Sequence, residues 1–300
     1  MLNNIPQFLN DLLIKEYGEE LTKKIIKGYK ANRQTTFRVN TLKSSIDEVR
    51  KQLDLLKIKY LNVSWNNSAL ILEDDYKIQD LDIYKEGKIY VQSLSSMIPA
   101  LVLDPKEREN ILDMCAAPGG KTTQMCAISE NKAMITACEK NKIRGERLKY
   151  NLEMQGATKV TVMSKDARNL DNFFSFDKIL LDAPCSGSGT LNLDNPNLNN
   201  EFTQELVNRS IKTQIGLLKK ASMIVKSGGE IIYSTCSILK EENEKILEKV
   251  LENGNLEIVD IDKSKYKEVP LLKTTIDGVL CIMPNDDYEG FFVAKLRKKC

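Results

Sequence analysis

Apolar side chains fall at three- and four-residue spacing over residues 6–30. Phe8, Leu9, Leu12, Leu13, Tyr17, Leu21 and Ile25 form one face there, and Lys15, Glu19, Lys23 and Lys24 lie outside it. That period predicts one or two amphipathic helices. Residues 35–40 alternate instead, with Phe37 and Val39 on one side and Arg38 and Asn40 on the other, which predicts a short strand. Ser44-Ser45-Ile46-Asp47-Glu48 reads as a helix start, the helix running to about Leu56, with strands following near residues 60–63 and 69–72. Residues 1–100 thus read as a small α+β domain. From Asn110 onward short apolar runs alternate with amphipathic stretches, the pattern of a parallel sheet with crossover helices, so residues 101–300 read as an α/β domain. Strands are expected at 111–114, 133–138, 160–163, 178–182, 230–234 and 291–296, and helices near 121–129, 142–155, 203–225 and 241–252. Ser227-Gly228-Gly229 is expected to turn the chain before the fifth of these strands.

Composition narrows the chemistry. The 300 residues, 42% of them apolar, amount to roughly two domain lengths, enough for a full core. Forty-four basic against 42 acidic residues argue against gripping nucleic acid by bulk charge, so any polyanion site is a local patch. The chain has no histidine, which excludes Ser-His-Asp and Cys-His pairs and most catalytic zinc sites. Catalysis must use Asp, Glu, Lys, Tyr or Cys. Seven cysteines without a C-x-x-C pair suit neither a disulfide framework nor a zinc knuckle, and they fit a reducing cytoplasm. Neither a secretory leader nor a membrane span is expected, nor a bound metal, and the balanced charge is compatible with a monomer.

The candidate chemistry sits at strand ends. The first strand of the α/β part runs into Cys115-Ala116-Ala117-Pro118-Gly119-Gly120-Lys121, a small-residue loop that lets a ligand approach the backbone at a helix N-terminus. The second ends at Glu139, about twenty residues on, where an acid suits ribose hydroxyls, and the third leads to Asp166. Three acceptor-bearing strand ends at one edge describe a site for a nucleoside-containing cofactor. The fourth strand ends in Asp182-Ala183-Pro184-Cys185 and the fifth in Tyr233-Ser234-Thr235-Cys236. As neighbours about 4.8 Å apart, these strands would bring Cys185 and Cys236 to one pocket beside Asp182. Spacing alone leaves open which cysteine is the nucleophile. Cys185, in its Pro-Cys pair, and Cys236 are both candidates. Cys126, Cys138, Cys281 and Cys300 read as packing or surface thiols.

Asp-Met-Cys-Ala-Ala-Pro-Gly-Gly-Lys-Thr (113–122), Asp-Ala-Pro-Cys-Ser-Gly (182–187) and Tyr-Ser-Thr-Cys-Ser (233–237), in that order, resemble the RsmB/Nop/Sun family of RNA 5-methylcytosine methyltransferases. The likeness extends to Arg38-Val39-Asn40-Thr41-Leu42-Lys43, Tyr90-Val91-Gln92, Glu241-Glu242-Asn243-Glu244 and the segment from Gly290 to Leu296. The resemblance implies a Rossmann-like methyltransferase domain with a mostly parallel seven-stranded sheet, preceded by an RNA-recognition-like domain. It implies S-adenosylmethionine as cofactor and tRNA or rRNA as substrate. Cys236 is then the nucleophile, Cys185 assists product release, and Asp182 and Lys121 complete the catalytic set. Residues 115–121 would wrap the methionine and ribose, Glu139 the ribose hydroxyls and Asp166 the adenine amine, with Arg144 and Asp182 also beside the cofactor. Arg144 and Lys121 have plain alternatives as a solvated helix residue and a snorkelling side chain. Two departures stand out: Leu191-Asn192-Leu193-Asp194-Asn195-Pro196 follows Gly189 where many relatives are basic, and Pro284-Asn285 occupies a place where they often have histidine. Only four residues follow Leu296, so no appended RNA-binding domain is expected. Arg33, Arg38 and Lys43 favour RNA over DNA or a small molecule as substrate. An RNA-binding assembly protein with a vestigial methyltransferase domain is the non-enzymatic alternative, disfavoured by the intact Asp182, Cys185 and Cys236.

Overall fold

The computed structural model describes residues 5–73 and 76–300. Residues 1–4, part of the stretch read above for a leader, lie outside the described residues. Two helices open the chain, α1 (Gln7–Tyr17) and α2 (Glu19–Tyr29), as the period predicts. A βαββαβ run follows: β1 (Thr36–Val39), α3 (Ile46–Leu55), β2 (Tyr60–Asn62), β3 (Ala69–Leu72), the one-turn α4 (Asp82–Lys85) and β4 (Ile89–Val91). Ser45 caps α3, its side chain accepting from the Glu48 amide. The four strands form an antiparallel sheet in the order β2-β3-β1-β4, the split βαβ arrangement. One face of it, with Phe37, Val39, Leu70, Leu72 and Ile89, packs on Val49 and Leu53 of α3.

Helix α5 (Leu94–Leu103) leads into the larger unit, which continues with β5 (Asn110–Asp113), α6 (Gly120–Ile128), β6 (Met134–Cys138), α7 (Lys142–Met154), β7 (Val160–Met163) and β8 (Phe176–Asp182). It continues through α8 (Leu198–Glu201), α9 (Gln204–Ile224), β9 (Val225–Thr235), α10 (Glu244–Leu251), β10 (Leu256–Val259), β11 (Leu280–Ile282) and β12 (Phe291–Lys298). Strand order is β10-β12-β9-β8-β5-β6-β7, with β11 also paired to β12. The five strands from β9 to β7 are parallel, and β10, β11 and β12 join antiparallel. The Rossmann-like expectation is met by this doubly wound sheet, with one correction: it has eight strands, not seven. Ser227-Gly228-Gly229 is a second correction. It does not precede the fifth strand but lies inside β9, where pairing with β8 jumps from Phe176↔Val225 to Lys178↔Glu230, so the extra residues bulge out of the ladder. Among the described residues no helix is long and apolar enough to cross a membrane.

The two units are joined through side chains that the alternation of β1 places opposite Phe37 and Val39. Arg38 and Asn40 do not face solvent; they are 1% and 0% exposed. Arg38 donates from Nε to Gln92 Oε1 at 2.9 Å and from Nη2 to Gly120 O at 3.0 Å and Thr123 Oγ1 at 2.7 Å, with the Tyr90 ring 4.9 Å away. Burial without a carboxylate partner lowers its pKa to about 10. Asn40 Nδ2 donates to Gly87 O and Gln155 O, both at 2.8 Å. The second face of the small sheet is thus closed against α6 and the end of α7, and Arg38 cannot serve as an RNA contact. Arg33 is also committed, to Gly28 O at 2.7 Å and Tyr288 O at 3.0 Å, whereas Lys43 is exposed. Helices α1 and α2 pack into the same core as β8 and β9 through Leu9, Leu13 and Ile25.

Arg38→Ala strands Gly120 O, Thr123 and Gln92 in a buried site and leaves a cavity. Urea unfolding is expected to show a loss of about 3 kcal/mol, against less than about 0.5 kcal/mol for Lys43→Ala.

Candidate active site

The C-terminal ends of β5, β6, β7, β8 and β9 converge on one crevice. After β5 the chain turns through the cis Ala117–Pro118 peptide to Gly119, whose φ of +108° favours glycine and whose added Cβ would meet Leu148 Cδ1 at 3.0 Å. Gly120 then opens α6, whose first turn carries no side-chain cap and whose Gly120 and Lys121 line the crevice. Asp113 is buried beneath this loop and accepts from Thr122 Oγ1 at 2.7 Å; burial raises its pKa to about 6. Cys115 is half-buried, and burial together with the surrounding acids pushes its thiol well up.

Glu139, 4% exposed, accepts from the Asn141 amide at 2.8 Å and lies 3.5 Å from Arg144 Nη1. Arg144 also donates to Ala117 O at 2.7 Å, so it bridges the ends of β5 and β6 while its side chain remains half exposed. Asp166 is gripped by the Arg168 fork, Nη2 to Oδ2 at 2.6 Å and Nε to Oδ1 at 3.0 Å, which lowers its pKa. Sequence reasoning did not single out Arg168. Glu139, Asp166, Arg144 and Arg168 together line one cleft with Cys115, Pro184 and Leu217. A second, of about 220 Å³, is lined by residues 115–118, Gly120, Lys121, Asp113, Asp182 and Tyr90.

On the other side of the loop, Lys121 Nζ sits 2.7 Å from Asp182 Oδ2 and 2.8 Å from Ser96 Oγ, and 5.2 Å from the centre of the Phe291 ring. The ammonium therefore does not snorkel to solvent; its side chain is only 12% exposed. Ser234 Oγ donates to Asp182 Oδ1 at 2.7 Å. Because β8 and β9 pair in parallel with Asp182 opposite Ser234, the loops that follow bring Cys185 Sγ to 2.8 Å from Cys236 Sγ. Contact with Cys236, burial and the field of Glu242 push the Cys185 thiol well up. Glu242 is the residue that ties the two loops: Oε1 accepts from the Ser186 amide at 2.8 Å, and Oε2 from Ser186 Oγ at 2.5 Å and Ser237 Oγ at 2.7 Å. It is fully buried, and burial raises its pKa. Asn243 completes the knot, accepting from Thr235 Oγ1 at 2.6 Å and donating to Ser237 O at 2.9 Å. Gly189 lies so close to Gly290 that a Cβ on it would come within 2.0 Å of Gly290 O, and its amide donates to Cys236 O at 2.9 Å. From behind, Tyr29 Oη donates to Ser188 O at 2.6 Å and Tyr17 Oη to Ile238 O.

A family model described as 16S rRNA methyltransferase RsmB/F matches residues 100–297. This chain belongs to the RsmB/F methyltransferase family. A companion model, the ferredoxin-like domain of RsmF/B-like proteins, matches residues 5–79, in keeping with the βαββαβ topology. Among curated relatives, ribosomal RNA small subunit methyltransferase F of Aeromonas salmonicida is 34% identical over 88% of this chain and 57% of its own length. Probable ribosomal RNA small subunit methyltransferase B of Bacillus subtilis is 30% identical over 98% of this chain and 66% of its own. The chain thus spans little more than half of the curated relatives of the first kind. A crystal structure of a methyltransferase homologue from Pyrococcus horikoshii superposes with a TM-score of 0.83, at 29% identity, over 98% of this chain and all of that one.

Within the family pattern, the two departures find structural places. Leu191 and Leu193, where relatives are often basic, are 8% and 6% exposed and belong to the main core. Asn285 Oδ1 accepts from the Tyr288 amide at 2.8 Å and shapes the turn that Arg33 holds. Cys126, Cys138 and Cys281 are buried and Cys300 is exposed. No group of three or more potential metal ligands occurs among the described residues.

Glu242→Ala removes the acceptor shared by both cysteine loops, and a stability loss of about 3 kcal/mol is expected in urea unfolding. The contact with Cys236 and burial raise the Cys185 thiol most, and Glu242 adds a smaller push, so in Glu242→Gln the pH profile of Cys185 alkylation by iodoacetamide is expected to shift only slightly to lower pH than in the unaltered chain.

Proposed function

We propose that this chain is an RNA (cytosine-5)-methyltransferase that acts in the cytoplasm, as a monomer, on structured tRNA or rRNA, with S-adenosylmethionine as methyl donor. Residues 1–100 form its RNA-side domain and residues 101–300 its catalytic domain. The observation that carries the reading is the contact of Cys185 with Cys236 beside the Lys121–Asp182 pair, at the ends of neighbouring strands.

The acids around the crevice suit the donor. Ribose hydroxyls, an adenine amine and a methionine ammonium are all hydrogen-bond donors, and Glu139 and Asp166 offer acceptor oxygens in a row, with the glycine loop and the α6 N-terminus alongside. Glu139 holds the ribose, Asp166 the adenine amine, and residues 115–121 the ribose and methionine, with Arg144 and Asp182 close by. Each oxygen of Asp166 accepts from Arg168, and a carboxylate has lone pairs to spare for a further donor. Bound there, S-adenosylmethionine supplies an electrophilic methyl group.

Carbon 5 of cytosine is a poor nucleophile, so the protein must first activate the ring. The Cys236 thiolate adds to carbon 6, and the electron pair of the 5,6 double bond moves toward ring nitrogen 3. Asp182 hydrogen-bonds to, or protonates, that nitrogen as charge builds, held in place by Lys121 and Ser234. The resulting enamine would bond through carbon 5 to the donor's methyl carbon as that carbon's bond to sulfur breaks, its electron pair staying on the now neutral thioether sulfur. A base then removes the carbon 5 proton, the electron pair re-forms the double bond, and the Cys236 thiolate leaves. Cys185, a thiol in contact with Cys236, assists that departure.

Labelled S-adenosylmethionine incubated with the chain and total RNA is expected to place 5-methylcytosine in RNA. Cys236→Ala is expected to lower transfer by at least about 10³-fold. Transfer to DNA with none to RNA would overturn the reading, as would undiminished transfer by Cys236→Ala.

A further inference from the structure

Beside the crevice lies a groove of about 420 Å³ between β4 and α7 that the mechanism does not use. Tyr84, Tyr90 and Val91 line one side of it and Tyr150 and Met154 the other, with Pro118 at the end shared with the cavity that holds Lys121 and Asp182. The walls are tied together: Asn151 Nδ2 donates to Pro118 O at 2.8 Å, and Gln155 Nε2 to Ile89 O at 3.2 Å. The aromatic rings are nevertheless open. Tyr150 is 61% exposed and Tyr84 37%. Arg147 stands one turn before Tyr150 and Asn151 on the same helical face, exposed and in no ion pair among the described residues. An exposed ring in a groove that shares Tyr90, Val91 and Pro118 with the Lys121–Asp182 cavity, with the Arg147 guanidinium one helical turn away at its margin, matches what single-stranded nucleic acid requires: a face for a base and a charge for its phosphate.

We propose that this groove holds a nucleotide of the single-stranded RNA next to the target cytosine, its base stacked on Tyr150 and its phosphate at Arg147. The inference rests on the reading of the chain as an RNA methyltransferase. A platform that reads only the flat face of a base and one phosphate accepts any base, so it holds the strand while the neighbouring cytosine is extruded toward Asp182. It also supplies an RNA contact that the closed face of the small sheet cannot.

The test uses the whole chain and a fluorescent, unstructured RNA of twelve nucleotides, with 4-thiouridine placed beside a central cytidine, followed by anisotropy and by photo-crosslinking with peptide mapping. Tyr150→Ala is expected to bind about tenfold more weakly, and Tyr150→Phe to stay close to the unaltered chain, because stacking needs the ring and not its hydroxyl. Arg147→Ala is expected to reduce the slope of log affinity against log salt by about 0.7. Crosslinks are expected on the peptides carrying Tyr84 or Tyr150, and S-adenosylmethionine binding should be unchanged in all three variants. RNA binding by Tyr150→Ala and Arg147→Ala equal to that of the unaltered chain would overturn the groove proposal alone and leave the groove to another occupant, such as a protein segment. An unaltered chain that binds S-adenosylmethionine but no RNA would overturn the RNA reading, and the groove proposal with it.

Discussion

A single buried carboxylate sets the geometry on which the site depends. Among the described residues no cation pairs with Glu242; its oxygens accept from the Ser186 amide and hydroxyl, the Ser237 hydroxyl and, at 3.4 Å, the Gln214 side chain. The serine donors belong to the two loops that carry Cys185 and Cys236, so one acceptor fixes the loops against each other. A buried charge neutralised only by hydrogen bonds is costly to disturb, because each donor released has no water to turn to. The cost of burying it is visible in its raised pKa.

Further braces come from distant parts of the chain. Tyr17 and Tyr29 reach the cysteine loops from α1 and α2, and Gly290 from the start of β12 closes on Gly189. Arg38 acts in the same sense on the glycine loop: from the small sheet it holds Gly120 O and Thr123, the first turn of α6. The N-terminal segments are thus structural supports of the crevice.

Most of the fold was legible because strand and helix periods are strong where elements are half-buried. The parallel strands, α6, α7, α9 and α10 lie within a few residues of their expected places. What was not legible has physical causes. Helix α5 is apolar nearly all round and carries Pro99, so it shows neither amphipathic period nor clean caps. Strands β10 and β11 both join β12 antiparallel at the edge of the sheet, outside the alternation of short apolar runs with crossover helices that marks the parallel strands. The bulge in β9 looks in sequence like a turn, because Gly228 and Gly229 serve either purpose. In the site, the strand-end acids and thiols were readable from position alone. The roles of Glu242, Ser186, Ser237 and Arg168 were not, since each acts through a partner far away in sequence or in a loop without a period. Arg38 was misread for the opposite reason: alternation gave the correct face, but nothing local says that this face is buried by α6.

The central claim is that Cys236 attacks carbon 6 while Cys185 serves departure. The most direct measurement is peptide mapping of the denaturation-resistant complex formed by the chain with S-adenosylmethionine and RNA containing 5-fluorocytidine, where fluorine in place of the carbon 5 proton blocks elimination. The RNA adduct is predicted on the peptide carrying Cys236, with Cys185 unmodified. An adduct on Cys185, or methyl transfer to that RNA without any covalent complex, would contradict the account.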